Sequence, residues 1–279
     1  MSGAPGELDL GFLSLPGWFS PLDAKMFLLA DAAQRTAGVE GDLLEIGAYM
    51  GRSAVVLGQL PRDGERFIVS DIFGEAENNE ESVLWRTSCE VQKPSVDQFS
   101  ANYLRFHSTL PEIRVGPSSS LDAGELGLKS FRLLHVDGAH DYENVVHDLS
   151  LTRELAAAGA VIAFDDISQP AFPGIGAAIW PEVKAGRLRP LMVGQKLYAT
   201  WDVDTPVADA LLRLVEAEPD VGTDRCQLAD FEALLVSDHA LTDDEAATWK
   251  TKSKRFLRNW APPAVYEGAK KVRAAARSS

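Results

Sequence analysis

The chain has 279 residues, 46% of them hydrophobic and 24% charged, enough to bury one large core and ordinary for a folded soluble protein. A net charge of −14 argues against non-specific binding of nucleic acid or an anionic membrane by the body of the chain. Cys89 and Cys226 are too few and too far apart for a disulfide framework, and neither a transmembrane stretch nor a secretory signal is legible, so a cytoplasmic protein is expected.

Pro16-Gly17 marks a turn, and Ser20-Pro21 with Asp23 reads as a helix start. Met26, Phe27, Leu29, Ala30 and Ala33 then follow at helical spacing until Gly38. Trp18 and Phe19, just ahead of that helix, either line a pocket or staple the helix to the core. The next stretch, Asp42 to Leu57, organises the rest. Leu43, Leu44 and Ile46 read as a buried strand, Gly47 and Gly51 follow at a spacing of four, and Ser53 opens a helical pattern. A strand turning sharply into a helix leaves backbone N–H groups free, and glycines let a ligand come close. About 20 residues past Gly51, Asp71 ends the apolar run Arg66 to Ser70, where a nucleotide-binding βαβ unit carries its ribose-binding carboxylate. These features point to an adenosine-containing cofactor.

Gly74 to Pro94 is a long polar stretch with an isolated Trp85, read as a lid or an insertion. Asp97 to Phe106 reads as a helix and Ile113 to Val115 as a short strand ending in the loop Gly116 to Ser120. The strand Phe131 to Val136 leads into Asp137-Gly138-Ala139-His140-Asp141-Tyr142-Glu143. A helix is expected from Val145 to Ala158, capped by Gly159, then an apolar strand from Ala160 to Phe164 ending in Asp165-Asp166. A helix from Gly176 to Lys184 and strands Leu188 to Val193 and Lys196 to Trp201 complete the pattern. The alternation of strand and helix calls for an α/β fold, a parallel sheet covered on both faces. Residues 206–279 read as a helical C-terminal extension, starting with a helix from Val207 to Glu216. From Trp249 onward nine basic residues face one acid, a tail of about +8 on a body of about −22. Such a tail either lies on an anionic surface or packs on the acidic body or a partner subunit.

Ligands of an open α/β sheet bind beyond the carboxyl ends of the strands. The glycine turn, Asp71, Ser118-Ser119, Asp137 with His140, and Asp165-Asp166 all fall there. Two carboxylates about 4 Å apart repel by around 4 kcal/mol at an effective dielectric near 20. If Asp137, Asp165 and Asp166 converge, one is protonated, one points away, or a cation sits between them. Carboxylate oxygens suit Mg²⁺; the competing reading is that Asp165 or Asp166 caps a turn. His140, on an expected exposed turn, can take a proton near neutral pH, or else serves the turn itself. His107, His135, His147 and His239 lack a matching acid cluster and are read as structural.

At this point the sequence resembles the class I S-adenosylmethionine-dependent methyltransferases. The matching pieces are Glu45-x-Gly47-x-x-x-Gly51-x-Ser53, Asp71 and the Asp165-Asp166 pair. More narrowly, Val136 to Glu143 with Phe164-Asp165-Asp166 is similar to the Mg²⁺-dependent sugar O-methyltransferases of macrolide and aminocoumarin biosynthesis and to related bacterial carbohydrate methyltransferases. The resemblance implies a Rossmann-like, doubly wound sheet of seven mostly parallel strands with a reversed last strand. Residues 1–205 would form this domain, with 74–94 as a lid. Glu45, Gly47, Ala48, Tyr49, Gly51 and Ser53 would hold the methionine end of S-adenosylmethionine, Asp71 the ribose hydroxyls, and Ser118 and Ser119 the adenine. Asp137, Asp165 and Asp166 match Mg²⁺ ligands, and His140, beside Asp137, matches the general base.

The expected protein is thus an O-methyltransferase acting on a hydroxyl of a sugar or glycosylated small molecule. It would be a homo-oligomer with no nucleic-acid partner. Two other readings stay open: a metal-independent carboxylate methyltransferase, and a non-catalytic cofactor-binding scaffold. A nicotinamide dehydrogenase fits less well, because the glycines are not in the GxGxxG form.

Overall fold

The apolar runs of the sequence become strands at the centre of a twisted sheet, seen in a computed structural model that describes residues 10–74 and 94–238. Nine strands are present among these residues: β1 (Asp42–Ile46), β2 (Phe67–Asp71), β3 (Glu112–Val115), β4 (Phe131–Val136), β5 (Ala156–Phe164), β6 (Arg189–Val193), β7 (Leu197–Thr200), β8 (Val221–Leu228) and β9 (Phe231–Asp238). They form one sheet in the order β3-β2-β1-β4-β5-β7-β6-β9-β8. Every residue of β1 and β4 is buried, as a strand covered on both faces requires. The pairs from β3 through β5 are parallel, while β7 runs antiparallel to both β5 and β6. The reversed strand expected from the family resemblance is therefore present.

The helices are α1 (Pro21–Thr36), α2 (Arg52–Leu57), α3 (Val96–Tyr103), α4 (Ala123–Leu126), α5 (Tyr142–Leu155), α6 (Pro173–Lys184) and α7 (Pro206–Glu216). Ser20 and Asp23 close a reciprocal capping box over α1, with Pro21 at its first position. Asp141 caps α5 by accepting the Asn144 N–H. Phe27 of α1, Leu57 of α2 and Leu211 of α7 join one core cluster, and Leu149 of α5 and Ile179 of α6 join a second with Leu134 and Phe164. The sheet is thus covered on both faces.

Three expectations change. Gly159 does not end a helix: α5 stops at Leu155, and Gly159, at φ +76°, lies inside β5. There the pairing with β4 jumps from Phe131↔Ala156 to Leu133↔Val161, and the extra residues need a glycine where Val39 and Val207 crowd in. The expected helix from Val207 to Glu216 is present as α7, but residues 221–238 are not helical. After α7 the chain makes β8 and β9, which widen the sheet beyond seven strands, β9 pairing with β6 in parallel. Contacts divide the chain into Met1–Ser237 and Asp238–Ser279. The lid expected at 74–94, apart from its two end residues, and the basic tail lie outside the described residues.

Gly47, which ends β1, has φ +81°, and a Cβ there would lie 1.9 Å from the Asp137 carbonyl oxygen at the end of β4. Gly64 has a similar φ of +86° with nothing within 4 Å. Gly64→Ala should cost about 1 kcal/mol, the left-handed backbone alone, and Gly47→Ala roughly 3 kcal/mol or more, because strand must move from strand. Urea unfolding of the two variants checks the difference; equal losses would mean that the close approach is not tight.

Candidate active site

The glycine turn is held by Asp71 at the end of the neighbouring strand. Asp71 Oδ2 accepts the N–H groups of Ala48 and Tyr49 at 2.7 and 2.8 Å, and Oδ1 accepts that of Phe73 at 2.7 Å. Tyr49 and Phe73 are both left-handed, at φ 48° and 44°. Each such backbone costs about 1–2 kcal/mol in a non-glycine residue, and charge-assisted bonds to a carboxylate offset that cost. Gly47 donates to Ser70 O and Gly51 to Ala48 O. Most of the turn's amides, expected to be free for a ligand, are therefore spent inside the protein. Ser53 is buried on α2, with Gly51 at the N-cap in the left-handed region.

Glu45 does not reach the surface. It is fully buried, and its Oε1 lies 2.9 Å from His135 Nδ1, the two residues being register partners on β1 and β4. Ser118 and Ser119 sit in a short helical turn after β3. Ser118 lies beside Asp148, a carboxylate of α5 whose pKa is raised by burial, while Ser119 is exposed. Trp18 and Phe19 divide the two roles open to them. Phe19 is buried against Phe12, Phe27 and His135, whereas Trp18 is 54% exposed with its ring 5.4 Å from that of Tyr49.

The three acids do converge beyond β4 and β5. Asp137, His140 and Asp166 each offer a ligand atom within 4.8 Å of the others, and so do His135, Asp137 and Asp165. Burial, then the charge of Asp165, pushes the Asp137 carboxyl well above the usual range. Burial, then Asp165, likewise pushes Asp166 up to about 6. Asp165 goes the other way: burial would raise its pKa, but Lys196 and His135 outweigh that and hold it below the ordinary value. Asp165 Oδ2 forms an ion pair with Lys196 Nζ, and Oδ1 accepts the Asp166 N–H at 2.7 Å. Of the acids expected to share a cation, Asp165 already has one from the chain. Asp137 and Asp166 remain without a lysine or arginine ion pair among the described residues; their raised pKa values record burial and mutual repulsion that a cation between them would relieve, and their oxygens suit Mg²⁺, which binds through one or two carboxylates.

His140 is less exposed than its turn suggested, with 21% of its side chain open. Its ring stacks on Phe172 at 4.0 Å and 13°. Nε2 lies 3.5 Å from Asp166 Oδ2 and 4.0 Å from Asp137 Oδ1, with no hydrogen-bond partner among the described residues. Burial lowers its pKa, which keeps the imidazole neutral and able to accept a proton. Lys196 and His135 were missed as site residues. Their signal was a polar side chain in or against a run that is otherwise apolar.

A family model described as a methyltransferase domain matches residues 44–167, from the glycine turn to the acidic pair. Among solved structures, the O-methyltransferase NovP is 17% identical over 63% of this chain and 78% of its own, with a TM-score of 0.51. Calicheamicin methyltransferase CalS11 is 16% identical over 72% and 99%, with a TM-score of 0.47. The O-methyltransferase from Bacillus cereus in complex with SAH is 16% identical over 80% and 82%, with a TM-score of 0.36. No curated protein matches the chain in sequence. Among the described residues no helix is long and apolar enough to cross a membrane.

Asp71→Asn should lower the stability of the cofactor-free protein by about 2 kcal/mol, since it weakens bonds to three backbone amides. Urea unfolding without cofactor measures this. A role confined to ribose binding would leave that stability unchanged.

Proposed function

We propose that the chain, whose residues 44–167 match a family model described as a methyltransferase domain, is a class I S-adenosylmethionine-dependent methyltransferase that transfers the methyl group to a hydroxyl of a sugar or glycosylated small molecule. The observation that carries this reading is His140: a neutral imidazole, its Nε2 unpaired among the described residues, set between two carboxylates at the mouth of the strand ends. A hydroxyl acceptor needs a base there; a carboxylate acceptor does not. The pattern of Asp137, His140 and Asp165-Asp166 resembles the sugar O-methyltransferases, and NovP, named an O-methyltransferase, shares the fold.

In this reading the glycine turn, fixed by Asp71, holds the methionine end of the cofactor, with Ser118 and Ser119 toward the adenine. Asp137 and Asp166 would hold a divalent cation such as Mg²⁺. When bound, S-adenosylmethionine supplies an electrophilic methyl and the cation supplies charge that eases deprotonation of the acceptor. His140 Nε2 would take the hydroxyl proton as the acceptor oxygen bonds to the methyl carbon and the carbon–sulfur bond breaks, its electron pair leaving with S-adenosylhomocysteine. Phe172 fixes the plane of the imidazole, so the proton acceptor is oriented before the acceptor arrives. The net charge of −14 supports a small-molecule acceptor over nucleic acid.

His140→Ala should leave S-adenosylmethionine affinity within about twofold and reduce kcat by roughly 10²- to 10⁴-fold, as read by calorimetry and turnover on hydroxylated sugars. Loss of cofactor binding together with turnover would make the histidine structural. Excess chelator should reduce turnover at least about tenfold, with recovery on adding Mg²⁺. Full activity in chelator would remove the cation from the reaction.

A further inference from the structure

We propose that Lys196 acts as a cation built into the chain, which takes Asp165 out of the divalent-cation site and leaves Asp137 and Asp166 as its carboxylates. The placement comes from the backbone. β5 and β7 pair antiparallel through Ile162↔Ala199, Ala163↔Tyr198 and Phe164↔Leu197, so one further step sets Asp165 across from Lys196. A tight turn, with Gly194 N–H donating to Lys196 O at 2.9 Å, fixes the start of β7.

Asp165, Asp23 and Asp137 all act on the buried ammonium, and Asp165 is the one it contacts. Lys196 is 1% exposed, its Nζ stands 5.6 Å from the centre of the Phe19 ring, and it pairs with Asp165 Oδ2. Both oxygens of Asp165 are engaged, one by Lys196 and the other by the Asp166 amide. On the far side His135 Nε2 lies 4.0 Å from the same Oδ2, with its Nδ1 committed to Glu45. A divalent ion at Asp165 would meet a fixed positive charge within contact distance of the oxygen it needs. Among the described residues neither Asp137 nor Asp166 forms an ion pair with a lysine or arginine: Asp137 hydrogen-bonds Asp165, Asp166 hydrogen-bonds Gln195, and both lie within 4.0 Å of His140 Nε2. Lys196 is thus a positioning residue: it sets which acids face the reaction, and it touches neither methyl nor acceptor.

The proposal adds a residue to the proposed cation site, and cation binding to the full chain tests it without turnover. Mn²⁺ serves as the probe, with the free ion read by electron paramagnetic resonance. Asp165→Asn should leave the Mn²⁺ dissociation constant within threefold of the wild type, whereas Asp166→Asn should raise it at least tenfold. Lys196→Met frees a third carboxylate and should bind Mn²⁺ at least tenfold more tightly, a gain absent when Asp165→Asn is added. Lys196→Arg keeps the charge and should match the wild type. If Asp165→Asn weakens Mn²⁺ as much as Asp166→Asn, or if folded Lys196→Met gains nothing, the proposal is overturned. Should Lys196→Met not fold, the comparison of the two asparagine variants decides alone. A wild type that binds no Mn²⁺ beside a Lys196→Met variant that does would uphold the lysine's role and remove the cation from the proposed reaction. Loss of binding in Asp165→Asn would do the reverse.

Discussion

Charge buried at the heart of the sheet is the constraint around which the rest of the site is arranged. Glu45, His135, Asp165 and Lys196 lie in sequence across β1, β4, β5 and the start of β7, all with little or no surface in water. An isolated ion in such a place costs several kcal/mol, so each must find a partner. The chain meets this by interleaving acids with basic side chains on successive strands. At the opposite end of β4 the same need is fully met: buried Arg132 pairs with Glu65 at 2.8 Å and Asp31 at 2.9 Å. At the carboxyl ends it is not. Asp137 and Asp166 remain in excess, and the unbalanced end is the one where ligands of this architecture bind.

The glycine turn works on a related principle. A carboxylate on β2 gathers three backbone amides and holds two non-glycine residues in left-handed backbone. The turn is shaped by the protein's own acid before any cofactor arrives. Binding then needs little rearrangement, which is how preformed sites keep affinity that ordering would otherwise consume.

Much of this was legible in the sequence because the central strands are mostly apolar and run into polar residues at their carboxyl ends. β1, β4 and the later part of β5 could be placed from Leu43 to Ile46, Phe131 to Val136 and Ala160 to Phe164. What failed did so for identifiable reasons. Gly159 has the residue type of a helix cap, and only the pairing of β5 with β4 shows that it serves a bulge. β8 runs Val-Gly-Thr-Asp-Arg-Cys-Gln-Leu and is half exposed, so it lacks the apolar signal of a strand. The convergence of Asp137, Asp165, Asp166 and His140 followed from strand ends alone. The Lys196 pair did not, because its partners are 31 residues apart and meet only through an antiparallel register. His135, similarly, is tied to Glu45 across 90 residues.

The close approach of Gly47 to the Asp137 carbonyl has a further mechanical consequence. With no side chain between them, the glycine turn and the root of the acid cluster abut directly, like two stones set without mortar. Breathing of the sheet would carry both together, so in the proposed reaction the span from methyl donor to His140 would change little. Divergence toward new acceptors would then fall to the peripheral loops, since the spacing at the centre has no slack to give.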